Sequence, residues 1–266
     1  MNYHARLDAA FDEASTFTGG GRRKGPSPRS IFRRAKRLEQ QYARRLRKIA
    51  RHVGDIVREF DLTDVLGALG PIQTALRRYA EILDPWARAV GARMVAEVAA
   101  HDTTSWRKLS AEMGRNLRQE IETAPTGDAL RASLERQVTL IKSLPLEAAE
   151  RVQRLVTEGI SEGRRAAEIA TDIMETGNVS RSRAMLIART EVSRTATELT
   201  KARAEHVGST HFIWRTAGDT DVRATHRKLN GKTFRWDDPP ECDPGHRALP
   251  GGIWNCRCYP EVVVPD

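Results

Sequence analysis

From Ser30 onward the apolar positions Phe32, Ala35, Leu38, Tyr42, Leu46, Ile49, Val53, Ile56 and Phe60 recur every three or four residues. That rhythm, about 3.5 residues per step, predicts a long helix packed lengthwise against another helix. Helical periodicity continues to about residue 205, with boundaries expected at Asp61, Pro71, Pro85, Asp102-Thr103-Thr104, Ala124 to Gly127, Pro145 and Thr176-Gly177-Asn178. Pro71, Pro85 and Pro145 are each expected in a first helical turn, where a missing N–H costs nothing. The pattern gives six to eight helices, mostly antiparallel neighbours joined by short turns.

After Val207-Gly208 the pattern changes. Short alternating runs replace the helical spacing, and HFIWRT, KTFRW and EVVVP read as strands. Asn230-Gly231 reads as a tight turn with positive φ at both residues. The fold class expected is therefore α+β, predominantly α: an extended helical N-terminal region with a long basic helix, followed by a small α+β C-terminal domain. The segment TGGGRRKGPSPRS has linker composition, so the expected division is an arm and linker over residues 1–29, a helical domain over 30–178 and an α+β domain over 179–266. A core of about 60 residues gains from a metal or from docking onto the helices.

Charge changes the picture of the first helix. Of the net +9, residues 22–58 alone carry +12, with 14 Lys or Arg against Glu39 and Asp55. The basic positions fall mostly off the apolar stripe, so one face packs while the other meets a polyanion: Arg33, Arg34, Lys36, Arg37, Arg44, Arg45, Arg47, Lys48 and Arg51 are the candidate contacts to double-stranded DNA, without sequence preference. An acidic protein partner fits the same face. The start MNYHARLDAA lacks the apolar core of a signal peptide, and the longest uncharged run, Val65 to Leu76, is far short of the roughly 20 apolar residues of a membrane span. A soluble protein with no membrane partner is expected.

All three cysteines lie between Cys242 and Cys258. An odd number, with two of them two residues apart, does not indicate a disulfide framework. His226, Cys242, His246, Cys256 and Cys258 are candidate ligands for a structural zinc ion, one more than a tetrahedral site needs. In an extended segment Cys256 and Cys258 point to opposite faces, which leaves only one able to reach an ion. Arg189, Glu191 and His226 also contain the minimum for ADP-ribosyl transfer or RNA cleavage. Against that, Arg189 and Glu191 do not face each other on a helix, and Arg194 and Glu198 read as an ordinary i,i+4 pair. For Asp219, Asp221 and Arg223, an internal salt bridge is favoured over a divalent cation.

The order of parts, an Arg-Thr-Glu helix (MLIARTEVSRTATELTKARAEH), an Asp-x-x-Val-Arg-x-x-His segment, an Asn-Gly turn and a terminal Cys-Arg-Cys, resembles the phage head morphogenesis family of Mu F-like minor head proteins over roughly residues 180–260. The resemblance implies structural roles for Arg189, Glu191, Asp219, Arg223, Gly231 and Arg257, and a zinc knot near the closing cysteines. It implies a virion component present in few copies in the head interior or at the portal vertex, passing through the host cytoplasm during assembly. Its partners would be the portal protein and the major capsid or scaffold proteins, and its part would lie in head assembly and in DNA packaging or delivery. No reaction is implied, although some relatives are joined to toxin modules, which keeps an ADP-ribosyltransferase or nuclease as the alternative, with a free DNA-binding adaptor as a third.

Overall fold

The computed structural model describes residues 35–110 and 124–264; the N-terminal arm and linker, and Arg33 and Arg34, lie outside them. Helix α1 (Lys36–Arg58) buries the expected stripe, Tyr42, Leu46, Ile49, Val53 and Ile56, and turns its basic face outward. It is followed by α2 (Val65–Ile82), α3 (Asp84–Ser110), α4 (Gly127–Ser161), α5 (Ala166–Met174) and α6 (Thr176–His206). Asp64 caps α2 by accepting the Gly67 N–H at 2.9 Å, which satisfies one of the free amides of the first turn. One apolar core runs through all six helices, with α4 contributing Val138, Ile141, Leu144, Val152 and Val156 and α6 contributing Ala184, Ile187, Ala188, Val192 and Leu199.

Helix α1 lies along α6, and its approach to the start of α6 is set by two glycines. A Cβ on Gly177 would stand 2.9 Å from the Gly54 Cα, so the backbones touch there and no side chain fits between them.

Two expectations about helix ends are corrected. Pro71 and Pro145 sit inside α2 and α4, not in first turns. Proline removes one i→i−4 hydrogen bond, but Pro145 is buried among α4's packing residues, and tertiary burial holds the helix continuous. Nor does Asp102-Thr103-Thr104 break α3. Asp102 is buried and accepts from Thr200 Oγ1 and Arg203 Nε, both at 2.8 Å, so its polarity is satisfied by α6 and it does not compete for its own backbone.

The C-terminal unit is built on a three-stranded antiparallel sheet in the order β2-β1-β5, where β1 is His211–Arg215, β2 is Thr233–Arg235 and β5 is Tyr259–Val263. Phe212 stands opposite Phe234 on one side and Val262 on the other. Helix α7 (Ala224–Leu229) and a small ribbon of β3 (Glu241–Asp243) and β4 (His246–Arg247) lie between β1 and β5 in sequence. Phe212, Trp214, Trp236 and the three cysteines form a second core, which Trp106 and Leu109 of α3 and Ala204 of α6 complete. Helices α3 and α6 thus serve both cores.

The Asn-Gly turn differs from its expected form. Asn230 has φ −59° and only Gly231 is positive, at 85°. The pair closes α7 and leads into β2: the Gly231 N–H donates to the Trp214 carbonyl at 2.8 Å, and Asn230 Oδ1 accepts the Thr216 N–H at 3.0 Å.

Candidate functional site

The residues that carry the richest chemistry meet beneath the sheet. His226, on α7, is 2% exposed and stands edge-on to Trp214 with ring centroids 5.4 Å apart. Its Nδ1 lies 3.5 Å from Cys256 Sγ and 3.4 Å from Cys258 Sγ. Both cysteines reach the same imidazole, contrary to the alternation expected of an extended segment, because the chain is not extended there. Asn255 has φ 59°, and the Cys256 N–H turns back to the Ile253 carbonyl at 3.2 Å, so the two thiols converge before β5 begins. The Gly251 N–H, held at φ 83°, points at Cys256 Sγ from 3.4 Å.

The electrostatics divide the two thiols. Cys256 is held well below the usual thiol range, first by the hydrogen bond it accepts from Cys258 and then by those from His226 and Gly251. Cys258 is pushed up, first as the donor of that bond and then by burial. Low-pKa sulfur beside imidazole suits a soft or borderline metal ion. Geometry agrees: in a tetrahedral zinc site with Zn–S of about 2.3 Å and Zn–N of about 2.0 Å, the S···N edge is about 3.5 Å, the separation seen here. On the far side of the ring, His226 Nε2 has no hydrogen-bond partner among the described residues and faces Asp243 Oδ1 at 3.6 Å, the position from which a carboxylate fixes the ring of a metal-bound histidine.

Of the five ligand candidates, His226, Cys256 and Cys258 come together, with their ligand atoms within 4.8 Å of one another. Cys242 is buried in the same core with its thiol directed at the His246 carbonyl at 3.4 Å, and burial raises its pKa. The exposed His246 ring takes no part in the cluster.

Glu191, in the middle of α6, is fully buried. It accepts from Arg136 Nε at 2.8 Å, Gln137 Nε2 at 2.8 Å and Arg194 Nη1 at 2.9 Å. Arg136 also reaches Glu198 at 2.7 Å, so the expected Arg194–Glu198 pair is replaced by a network between α4 and α6. Arg194 donates through Nε and Nη2 to the Gly252 carbonyl and lies over the Trp254 ring, which tethers the cysteine-bearing loop to α6. Arg189 points elsewhere, to Glu39 at 3.5 Å and Asn255 Oδ1 at 2.6 Å. Among the described residues, Arg189, Glu191 and His226 therefore each have separate partners and share none.

The remaining motif residues hold loops. The expected internal salt bridge forms, but its cation is Arg257, 2.6 Å from Asp219 and 3.1 Å from Asp221. Arg223 instead donates to the Trp254 carbonyl at 3.0 Å and lies 3.7 Å from Asp243.

Among the basic candidates of α1, Lys36, Arg37, Arg44, Lys48 and Arg51 are exposed and Arg47 partly so. Arg45 turns toward Glu97 of α3 at 3.4 Å, with its side chain 22% exposed. Arg44, Arg47, Lys48 and Arg51 line a groove closed on its other side by Arg181 of α6. Arg181 is remote in sequence and was absent from the sequence-based candidates.

Comparison with known proteins places this geometry. Residues 150–260 match the family described as Phage Mu protein F like protein, a stretch that opens in α4 and takes in α5, α6 and the C-terminal unit up to Pro260. The chain is 28% identical over 167 residues to the minor head protein GP7 of Bacillus phage SPP1, covering 57% of this chain and 53% of that one. It is 34% identical over 129 residues to an uncharacterized protein of Haemophilus influenzae, covering 48% and 28%. It is 33% identical over 129 residues to the NAD(+)–arginine ADP-ribosyltransferase EFV of Enterococcus faecalis, covering 44% and 26%. The chain thus spans about half the length, or less, of these relatives. No solved structure matches it significantly. With its Arg-Thr-Glu helix, closing cysteines and intervening segment joined in one unit, the stretch from residue 150 to 260 is similar to the Mu F-like family of phage head proteins.

Proposed function

We propose that the protein is a non-enzymatic minor head component of a phage, present in the virion in few copies, bound at the portal vertex, and acting in head assembly and in packaging or delivery of DNA. The observation that carries this reading is that the motif residues of the Mu F-like unit are engaged in holding the unit together. Glu191 is sealed under two arginines, Arg257 clamps the Asp219-Asp221 loop, and Arg223 holds the loop at Trp254. An ADP-ribosyltransferase or nuclease needs its acid, base and anion-binding residues to converge on an accessible pocket. Here the acid has no exposure, which favours the structural reading over the transferase that one relative's name suggests. The C-terminal unit is the proposed docking surface for portal or shell, and the basic face of α1 the proposed contact with packaged DNA.

Co-expression with the portal protein of the same phage tests the docking. The expected result is co-purification through gel filtration, abolished when the chain is cut after α6; equal recovery of portal with that truncated chain would count against a C-terminal docking surface.

In the same reading, His226, Cys256 and Cys258 hold a structural zinc ion, with Cys242 as the fourth ligand. Zinc supplies cross-links to a unit with a small core of its own. The expected result is close to one zinc per purified chain by plasma mass spectrometry, falling below about one tenth in the Cys256→Ala, Cys258→Ala double variant. Chelation is expected to lower the melting temperature of the wild-type protein and leave that variant unmoved. Purification of a metal-free chain whose melting temperature ignores both zinc and chelator would refute the site.

A further inference from the structure

We infer that the groove between α1 and the beginning of α6 is a binding site for the phosphate backbone of duplex DNA, and that Arg181 completes it; this localises the DNA contact proposed above and rests on that reading. The groove has a volume of about 570 Å³ and is lined by Arg44, Arg47, Lys48, Arg51, Arg58 and Arg181. Arg58 is paired with Asp55. The other five make no ion pair among the described residues, so five positive charges face one concavity without neutralisation. Like charges held this close repel one another, and an anion that bridges them relieves the repulsion.

Position and shape identify the anion. Arg44, Arg47, Lys48, Arg51 and Arg58 follow helical spacing on one face of α1, over a length of about 21 Å at 1.5 Å per residue. One DNA strand carries about six phosphates along that distance. Arg181 stands on the opposite wall, across the floor where Gly54 and Gly177 meet. The absence of side chains at that contact brings α6 close enough for cations from two helices to face one row of phosphates. Among the described residues no aromatic side chain lines the groove, so they offer no platform on which unpaired bases stack, and a duplex held by its backbone fits better than a single strand.

The test uses the full chain and a fluorescein-labelled 20-base-pair duplex of arbitrary sequence, with fluorescence anisotropy read at stepped NaCl concentrations. The groove variant combines Arg44→Gln, Arg51→Gln and Arg181→Gln. A control removes three exposed cations of the C-terminal unit, Arg227→Gln, Lys228→Gln and Lys232→Gln. The groove variant is expected to lose affinity about ten- to a hundredfold and to flatten the salt slope by about three, at roughly 0.9 per lost phosphate contact, with unchanged circular dichroism and melting temperature. The control is expected to follow the wild type.

Equal losses in both variants would overturn the groove and leave a diffuse DNA contact standing. Failure of the wild-type chain to bind the duplex at 50 mM NaCl would overturn both. Displacement of the duplex by polyglutamate at equal charge concentration would overturn the groove in favour of an acidic protein partner.

Discussion

Replacing Glu191 by Gln is expected to lower folding stability by about 3–5 kcal/mol, the range for removing one member of a buried ion cluster. Glu191 has no solvent exposure and accepts from Arg136, Gln137 and Arg194. Glutamine keeps the volume but brings an NH₂ group among three donors and removes the charge that offsets two guanidinium groups. The effect extends beyond one contact: Gln137 also accepts from the buried Tyr42 hydroxyl of α1, and Arg194 holds the Gly252 carbonyl of the cysteine-bearing loop. Loss of Glu191 therefore loosens α1, α4, α6 and the C-terminal unit together. Glu198→Gln is the control. Glu198 shares Arg136 but is about a third exposed, and its loss is expected to cost no more than about 1 kcal/mol. Urea unfolding of both variants decides the point; similar midpoints would mean that Glu191 is not the centre of the network.

The second large effect is expected at Arg203, which donates to Asp102 at 2.8 Å and to Thr103 Oγ1 at 3.0 Å and ties α6 to α3 between the two cores. Burial pushes the Asp102 carboxyl up to about 6, and the hydrogen bond from Thr200 and the charge of Arg203 oppose that rise. Because the folded pKa lies above the unfolded one, Asp102's contribution to stability is fully present below about pH 4 and is lost as pH rises through about 6. Arg203→Met leaves the carboxylate buried without its cation, at an expected cost of about 3–5 kcal/mol at pH 7.5. At pH 5 the carboxyl is protonated in most folded molecules, and the cost is expected to shrink by about 1–2 kcal/mol. Denaturant unfolding at both pH values measures it, and a difference between wild type and variant that does not change with pH would show that Asp102 does not titrate in this range.

Much of the architecture is written in local pattern. The 3.5-residue stripe of α1 fixes its buried face from Tyr42 to Ile56, and HFIWRT, KTFRW and EVVVP fall on the three strands of one sheet. What escaped local reading depends on partners distant in sequence. Pro145 suggests a helix start until the core of six helices surrounds it. Cys256 and Cys258 read as opposite-facing until the left-handed Asn255 turns them onto one histidine. Glu191 and Glu198 are two glutamates on a helix that share Arg136, and the Gln137 amide, more than fifty residues before Glu191, donates to the sealed one and not to the one that is a third exposed. Arg181 joins the basic face of α1 only because two glycines let the helices touch. In the sequence alone, the spacing of the cysteines and histidines restricts the metal ligands to five, and the fold brings three of them together.

The central claim, a minor head component, is tested most directly by quantitative mass spectrometry of purified phage particles made in cells expressing this chain with its neighbouring genes, before and after the particles are emptied of DNA. The expected result is a few copies of this chain per head. Its absence from every particle, with the chain recovered free from the same lysate, would contradict the claim.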